Sequence, residues 1–155
     1  MLKKKLGIES VERNWSVNAG YLIDYYKIPS SLIIPEGCKK IGNSAFYYCL
    51  KLRKVEFPEG VEVISEWAFY NCKRLREVII SKTVKRIERH SFEDCKSLKE
   101  VRIPSNVREI EWHAFTGCGR IVVSPSNNNS LKNQVSDLMF WGCKDVKYAE
   151  EETRE

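Results

Sequence analysis

The chain has 155 residues, 43% of them hydrophobic and 30% charged, which is typical of one globular unit and argues against a disordered protein. The net charge is +5 at pH 7. The tail at residues 150–155 is acidic, and residues 1–149 alone carry 25 basic and 17 acidic side chains, or +8. That excess favours an acidic partner or an anionic surface.

The sequence predicts no membrane span and no N-terminal signal peptide. No apolar run approaches the roughly 18 residues of a membrane span. Three lysines follow Met1-Leu2, but no apolar stretch comes after them as it would in a signal peptide. We therefore expect a cytoplasmic protein, with a fragment whose signal was removed as the alternative.

The first predicted element is an N-terminal cap over residues 1–31. Leu22-Ile23-x-x-Tyr26 resembles a degenerate copy of a pattern that becomes regular further along the chain. Repeat proteins need such caps because an exposed terminal repeat is an unpaired edge.

Four regular copies of a twenty-three-residue pattern follow within residues 32–123. Each copy contains a small residue, a phenylalanine and, three positions later, a cysteine: Ala45-Phe46-x-x-Cys49, Ala68-Phe69-x-x-Cys72, Ser91-Phe92-x-x-Cys95 and Ala114-Phe115-x-x-Cys118. A fixed period of this size predicts a solenoid, in which each repeat is one coil stacked on its neighbours.

Each copy predicts two extended segments and one tight turn. Val55 and Phe57 alternate as in a strand, and Pro58 ends the strand because proline cannot donate to a sheet. The spacing of three between Phe46 and Cys49 predicts one helical or 3₁₀ turn.

Residues 124–149 are predicted to form an irregular last repeat and a C-terminal cap, before the acidic tail at 150–155. Met139-Phe140-x-x-Cys143 continues the pattern at a spacing of twenty-five, with Val146 in a matching apolar position. The two extra residues are expected in the polar stretch at 124–130.

The unit I/V-x-x-I-x-x-x-A-F-x-x-C-x-x-L-x-x-V-x-I-P, seen from Ile41 to Pro58, resembles the BspA-like (Treponema-type) leucine-rich repeat. The resemblance covers residues 32–123 well and 124–148 loosely. It implies a right-handed, mainly β solenoid with a parallel sheet on its concave side. It also implies binding to proteins or surfaces rather than catalysis, and many members of the family lie on the cell surface.

The six cysteines are all explained by the repeat. Five occupy the turn position, and Cys38 stands where later copies have valine. Stacked coils are about 4.8 Å apart, so a disulfide is geometrically conceivable, but a column of reduced, buried thiols is the favoured interpretation. Zinc usually takes ligands from closely spaced cysteine pairs, which are absent here, and we expect no metal and no cofactor.

Two charged surfaces are predicted from the outward positions. Stacking would place Arg53, Arg76 and Lys99 in one basic column, which either receives acidic groups or is simply solvated. Arg120, Lys144 and Lys147 belong to the same basic segment in later copies. The outer face of the strands mixes charged and apolar residues, which suits a protein partner: Ile33, Lys54, Glu56, Glu77, Ile79, Glu100 and Arg102.

A third predicted surface is aromatic. Tyr47 and Tyr70 share one outward position, and Trp67 lies close to it in the repeat. These rings are anchors for a partner, a ladder that stacks between coils, or a sugar site. His90 and His113 also share a position and should be adjacent, but two histidines alone do not make a metal site.

The sequence predicts no enzyme, because it lacks phosphate-binding, zinc-protease and serine-hydrolase motifs. The leading hypothesis is a monomeric module that binds another protein through the strand face and the basic column, and a small inhibitor or adaptor is one possibility. Two alternatives are nucleic-acid or polyanion binding along the basic column, and an adhesive or structural surface role. We expect no insertion into a membrane.

Overall fold

The structure, a computed structural model, describes residues 29–123 and 138–148. It contains ten short strands in chain order: β1 (Ser31–Ile33), β2 (Lys40–Ile41), β3 (Lys54–Glu56), β4 (Val63–Ile64), β5 (Glu77–Ile79), β6 (Arg86–Ile87), β7 (Glu100–Ile103), β8 (Glu109–Ile110), β9 (Arg120–Val123) and β10 (Asp145–Tyr148). No helix occurs in these residues, and so none that could cross a bilayer. The predicted cap at 1–31 and the extra residues at 124–130 lie largely or wholly outside them.

The strands form two parallel sheets in which every neighbour comes from the adjacent coil. One sheet has the order β1-β3-β5-β7-β9-β10, and the other has the order β2-β4-β6-β8. In the regular coils each residue pairs with the residue twenty-three positions later, as Val55 does with Val78. Twenty-three residues therefore make one coil of a β-solenoid, which confirms the predicted fold.

The core is a set of columns, each made of one repeat position. Phe46, Phe69, Phe92 and Phe115 are at most 2% exposed, and successive rings stack with centroids 5.0–5.2 Å apart. Each coil is too thin to bury these rings by itself, so stacking of coils supplies the core. Burial of a phenylalanine contributes roughly 1.5–3 kcal/mol, which makes this column a main source of stability.

The tight turn differs in detail from the predicted helical turn. The expected hydrogen bonds between residues three apart are present, as in Cys49 N–H to Phe46 O at 3.2 Å. The amide of Phe46, however, donates to Ala68 O in the next coil at 2.7 Å. Ser44 and Tyr48 have φ of 55° and 57°, and these left-handed residues interrupt any helix. The segment is a pair of β-turns that also takes part in stacking.

All six cysteines are free, and the five at the turn position form a column of buried or half-buried thiols. From Cys72 onward each thiol of the column donates to a phenylalanine carbonyl of the preceding coil, as Cys95 Sγ does to Phe69 O at 3.2 Å and Cys118 Sγ to Phe92 O at 3.1 Å. Cysteine is thus a small apolar residue that can also donate a weak hydrogen bond between coils.

The last two coils reach the sheet by a shorter path. Arg120 pairs with Glu100, only twenty residues earlier, and Val146 pairs with Ile121. Strands β9 and β10 begin two residues after their cysteines, so the corner that holds Leu98 in the regular coils is missing. Arg120 and Lys147, predicted to precede the strands, therefore lie inside them.

Candidate binding surfaces

The outer face of the six-stranded sheet, here the strand face, contains all seven residues predicted for it. Ile33 is 61% exposed and Ile79 is 39% exposed, while Lys54, Glu56, Glu77, Glu100 and Arg102 are exposed or half-buried. Ile33 pairs with Glu56, and Glu56 with Ile79, so the two isoleucines flank a carboxylate. The structure thus brings these residues together.

The charges of the strand face are largely paired with one another. Lys54 Nζ lies 3.0 Å from Glu77 Oε1, and an Arg102 guanidinium nitrogen lies 2.9 Å from Glu100 Oε1. Arg120 Nε lies 3.0 Å from Asp145 Oδ2. Exposed pairs of this kind contribute at most about 1 kcal/mol each, but they leave little uncompensated charge for a partner.

The basic edge, defined as Arg53, Arg76 and Lys99, lies beside the strand face. The Arg76 amide donates to Arg53 O at 2.8 Å, and the Lys99 amide donates to Arg76 O at 3.3 Å, so the three residues occupy one stacked column as predicted. All three side chains are exposed. Within residues 29–123 and 138–148 none of them forms an ion pair, unlike the cations of the strand face.

The basic edge opens into a cavity of about 800 Å³, here called the basic cleft. Its described lining includes one carboxylate, that of Asp145, and five cationic side chains: Arg76, Lys96, Lys99, Arg120 and Lys144. The cleft exists because the shortened corner puts Gly119 where the regular coils have a basic residue. A Cβ on Gly119 would lie 1.7 Å from Leu98 O, so only glycine fits this path.

The sequence prediction included neither the cleft nor the role of Gly119. The indication was available in Cys118-Gly119-Arg120-Ile121, because Ile121 follows its cysteine three residues sooner than Val101 does in the preceding copy. The left-handed turn position was also readable, because Asn71, Asp94 and Gly117 recur twenty-three residues apart. Asparagine, aspartate and glycine are the residues that adopt positive φ most readily.

The predicted aromatic residues form stacked columns. Tyr47 and Tyr70 stack at 5.1 Å with an interplanar angle of 11°, and Trp67 stacks on His90 at 5.9 Å. His90 and His113 stack at 5.3 Å, which confirms their predicted adjacency. A ladder between coils, one of the predicted alternatives, is therefore present.

The histidines interact with their own turns. His90 Nδ1 contacts Glu93 Oε2, and His113 Nδ1 lies 2.9 Å from Thr116 Oγ1. In the described part of the chain no cluster of three or more histidine, cysteine, aspartate or glutamate side chains has a metal-binding arrangement.

The thiols of Cys95, Cys118 and Cys143 are poor nucleophiles. Burial is the main cause that raises the pKa of Cys95 and of Cys118, and it raises the pKa of Cys143 to about 11. A reactive cysteine needs the opposite, a thiolate stabilised near neutral pH. These three thiols therefore support packing rather than covalent chemistry.

Comparison with solved structures places the fold among bacterial repeat proteins. A leucine-rich cell surface protein from Faecalibacterium prausnitzii matches with a TM-score of 0.68 and 25% identity, over 80% of this chain and 33% of that one. The pneumococcal vaccine antigen PcpA matches with a TM-score of 0.66 and 23% identity, over 84% and 33%. A leucine-rich-repeat protein of Treponema pallidum matches with a TM-score of 0.50 and 19% identity, over 77% and 73%.

This chain spans about a third of the length of the first two of these proteins. None of the three is described as an enzyme. No curated protein sequence matches the chain. The model of the BspA type leucine-rich repeat region matches residues 24–147 in six copies. The chain therefore belongs to the BspA-type leucine-rich-repeat family.

Proposed function

We propose that this chain is a binding module that holds an acidic segment of another protein against the basic edge and the basic cleft, with the strand face as the adjoining contact. The observation that carries the proposal is the contrast in charge pairing. Cations on the strand face have carboxylate partners, whereas Arg53, Arg76 and Lys99 have none among the described residues.

The stacked cations repel one another when no partner is present. Neighbouring coils lie about 4.8 Å apart, and two like charges at that distance repel by about 1 kcal/mol even in water. Flexible stems relieve part of this repulsion. A run of carboxylates placed along the column would replace repulsion with attraction, which favours an acidic ligand.

The exposed isoleucines favour a protein over a nucleic acid as this ligand. Ile33 and Ile79 lie on the strand face next to the basic edge. Apolar contacts beside charged ones are typical of protein interfaces, whereas nucleic-acid backbones are bound chiefly by cations. Nucleic-acid or polyanion binding is therefore the alternative that the experiment must exclude.

The test is affinity capture from nuclease-treated cell extract with three baits. The first is the unaltered chain, and the second carries Arg53→Glu, Arg76→Glu and Lys99→Glu. The third carries Lys39→Glu, Lys82→Glu and Arg108→Glu, which change the net charge equally at exposed positions elsewhere.

The proposal predicts proteins that the first and third baits recover and the second loses. Equal recovery by all three baits would contradict it. Partners that the first bait recovers only from a parallel extract without nuclease would instead support the nucleic-acid alternative. A fourth bait with Glu56→Lys, Ile79→Glu and Arg102→Glu measures how much the strand face contributes to the recovery of these proteins.

An adhesive role at the cell surface is the second candidate. It is supported by the similarity to the F. prausnitzii protein, which is a cell surface protein. Antibody labelling of intact and lysed cells tests it, since only a surface protein is labelled before lysis. The cytoplasmic location and the inhibitor or adaptor role stay predictions.

A further inference from the structure

One aromatic column is interrupted by a serine. Trp67, His90 and His113 occupy one repeat position, and the first coil has Ser44 there. The backbones remain equivalent, since Ser44 N–H donates to Glu66 O at 2.9 Å and Trp67 N–H donates to Arg89 O at 3.3 Å. All four residues have φ between 54° and 59°. The serine therefore shortens the side chain without changing the turn.

The short side chain leaves a groove beside the indole of Trp67. His90 stacks on this indole at 5.9 Å, whereas the neighbour on its other side is Ser44, which is too small to cover the ring. The groove has a volume of about 590 Å³, and its other wall is formed by the stacked rings of Tyr47 and Tyr70. Trp67 is 38% exposed, so the ring is accessible from solvent.

The groove is acidic. Its described lining contains the carboxylate of Glu93 and no lysine or arginine. Burial raises the pKa of Tyr70, and the negative charges of Glu93 and Asp94 add to that shift. The neighbouring carboxylates thus disfavour a further negative charge beside the rings.

We propose that this groove binds the quaternary ammonium group of a small molecule. Tryptophan and tyrosine rings attract cations, and rings grouped around a cation are a known way to recognise quaternary ammonium ligands. A quaternary ammonium has no N–H donors to satisfy, so ring faces and the carboxylate of Glu93 are sufficient to hold it, whereas a primary ammonium has three donors. The volume falls in the range of small-molecule sites, roughly 300–1,000 Å³.

The measurement is NMR of the tryptophan indole N–H groups during titration with choline. The matched neutral probe is 3,3-dimethyl-1-butanol, which has a carbon in place of the nitrogen. Sodium chloride at equal concentration controls for ionic strength. The proposal predicts saturable shifts of the Trp67 signal, assigned with Trp67→Phe, for choline alone. Equal shifts with the neutral alcohol, or no shift with choline, would overturn it.

Three variants locate the site. Ser44→Trp continues the column on a turn that already accepts tryptophan, so it should stay folded by circular dichroism and lose choline binding. If that variant does not fold, Ser44→His takes its place. Glu93→Gln should weaken binding about tenfold, the equivalent of 1.4 kcal/mol for a lost charge. Trp141→Ala, which lies outside the groove, should bind as the unaltered chain does.

The Arg53, Arg76 and Lys99 variant described above should also bind choline normally, because the groove does not include the basic edge. Failure of one proposal thus leaves the other standing. Retained choline binding in folded Ser44→Trp would contradict the groove as the site.

Discussion

The regular coils contain strands β1 to β8, and the last two coils contain β9 and β10. Both kinds of coil stack on their neighbours, but they use different numbers of residues to reach the sheet. In the regular coils every column keeps a spacing of twenty-three. In the coil that follows, Phe115 still stacks on Phe92 at the regular spacing. Strand β9, however, begins three residues earlier than the twenty-three-residue period predicts. The comparison teaches that the phenylalanine column keeps the coils stacked even where the corner that holds a buried leucine is missing.

The shortened corner also changes the surface of the last coils. Where the corner is complete, Leu98 is buried and Lys99 projects from the edge. Where it is missing, Gly119 leaves room for the basic cleft. A change that keeps the phenylalanine column but removes the buried leucine position has therefore altered the surface of the last coils.

Phe92→Ala is expected to have the largest effect on stability. Phe92 is fully buried between Phe69 and Phe115, with centroids 5.2 Å from each, so its loss should cost about 4 kcal/mol. Phe140→Ala in the last coil should cost only about 2 kcal/mol, because Phe140 has one described stacking partner at 6.0 Å. Urea unfolding measures both. Equal losses would show that the last coil is as tightly packed as the regular ones.

Gly119→Ala comes next, at about 3 kcal/mol of destabilisation, because its Cβ would overlap Leu98 O and the backbone must move. Lys99→Ala, at the corresponding edge position of the preceding coil, should change the free energy of unfolding by less than about 0.5 kcal/mol. Thermal unfolding of the two variants makes the comparison. A tolerated Gly119→Ala would contradict the shortened path.

Alkaline pH should weaken the fold through the thiols. Folding raises the pKa of Cys95 and Cys143, so the unfolded chain loses their protons first. The stabilising effect is complete below the unfolded pKa of about 8.5 and is lost as pH rises above it. For Cys143 this loss should level off near pH 11.

The thiol prediction is measured by urea unfolding between pH 7.5 and 10. Cys95→Ala should reduce the fall in stability by about 1.4 kcal/mol per pH unit, since one fewer thiol titrates. A pH dependence that Cys95→Ala leaves unchanged would show that other groups cause it.

Ser91→Ala should have a smaller effect than these core and backbone changes, and it should stabilise the fold. Ser91 occupies the position of Ala45, Ala68 and Ala114, and its buried Oγ has no hydrogen-bond partner among the described residues. Removal of an unsatisfied hydroxyl should add about 1 kcal/mol and raise Tm by a few degrees. Ser81→Ala is the control, because Ser81 Oγ lies 2.9 Å from Thr83 Oγ1 and should not stabilise when removed. A lower Tm for Ser91→Ala would mean that the hydroxyl is satisfied.

Repetition explains how much of this could be predicted from the sequence. Phe69 and Cys72 recur at one period, so their burial and stacking follow from it. The columns of Arg53 and Tyr47 follow in the same way, because any position shared by neighbouring coils must be adjacent. The family and the parallel solenoid were therefore predicted correctly.

The rest depends on features that do not repeat. The early strand at Arg120 depends on one glycine that fits against Leu98 O, a contact between coils that no periodic pattern contains. The groove at Ser44 exists because this coil has no aromatic ring at the position of Trp67. The charge pairing of Lys54 with Glu77 depends on side-chain conformation. Specific contacts of this kind require coordinates.

The most direct test of the central claim is NMR titration of the uniformly ¹⁵N-labelled chain with a short polyglutamate peptide at low salt. The account predicts the largest amide shifts at Arg53, Arg76, Lys99 and Lys144, with smaller shifts along the strand face. Arg53→Glu, Arg76→Glu and Lys99→Glu together should abolish these shifts, while the charge-matched Lys39, Lys82 and Arg108 variant should preserve them. Shifts that survive the edge variant, or that centre on the aromatic columns, would contradict it.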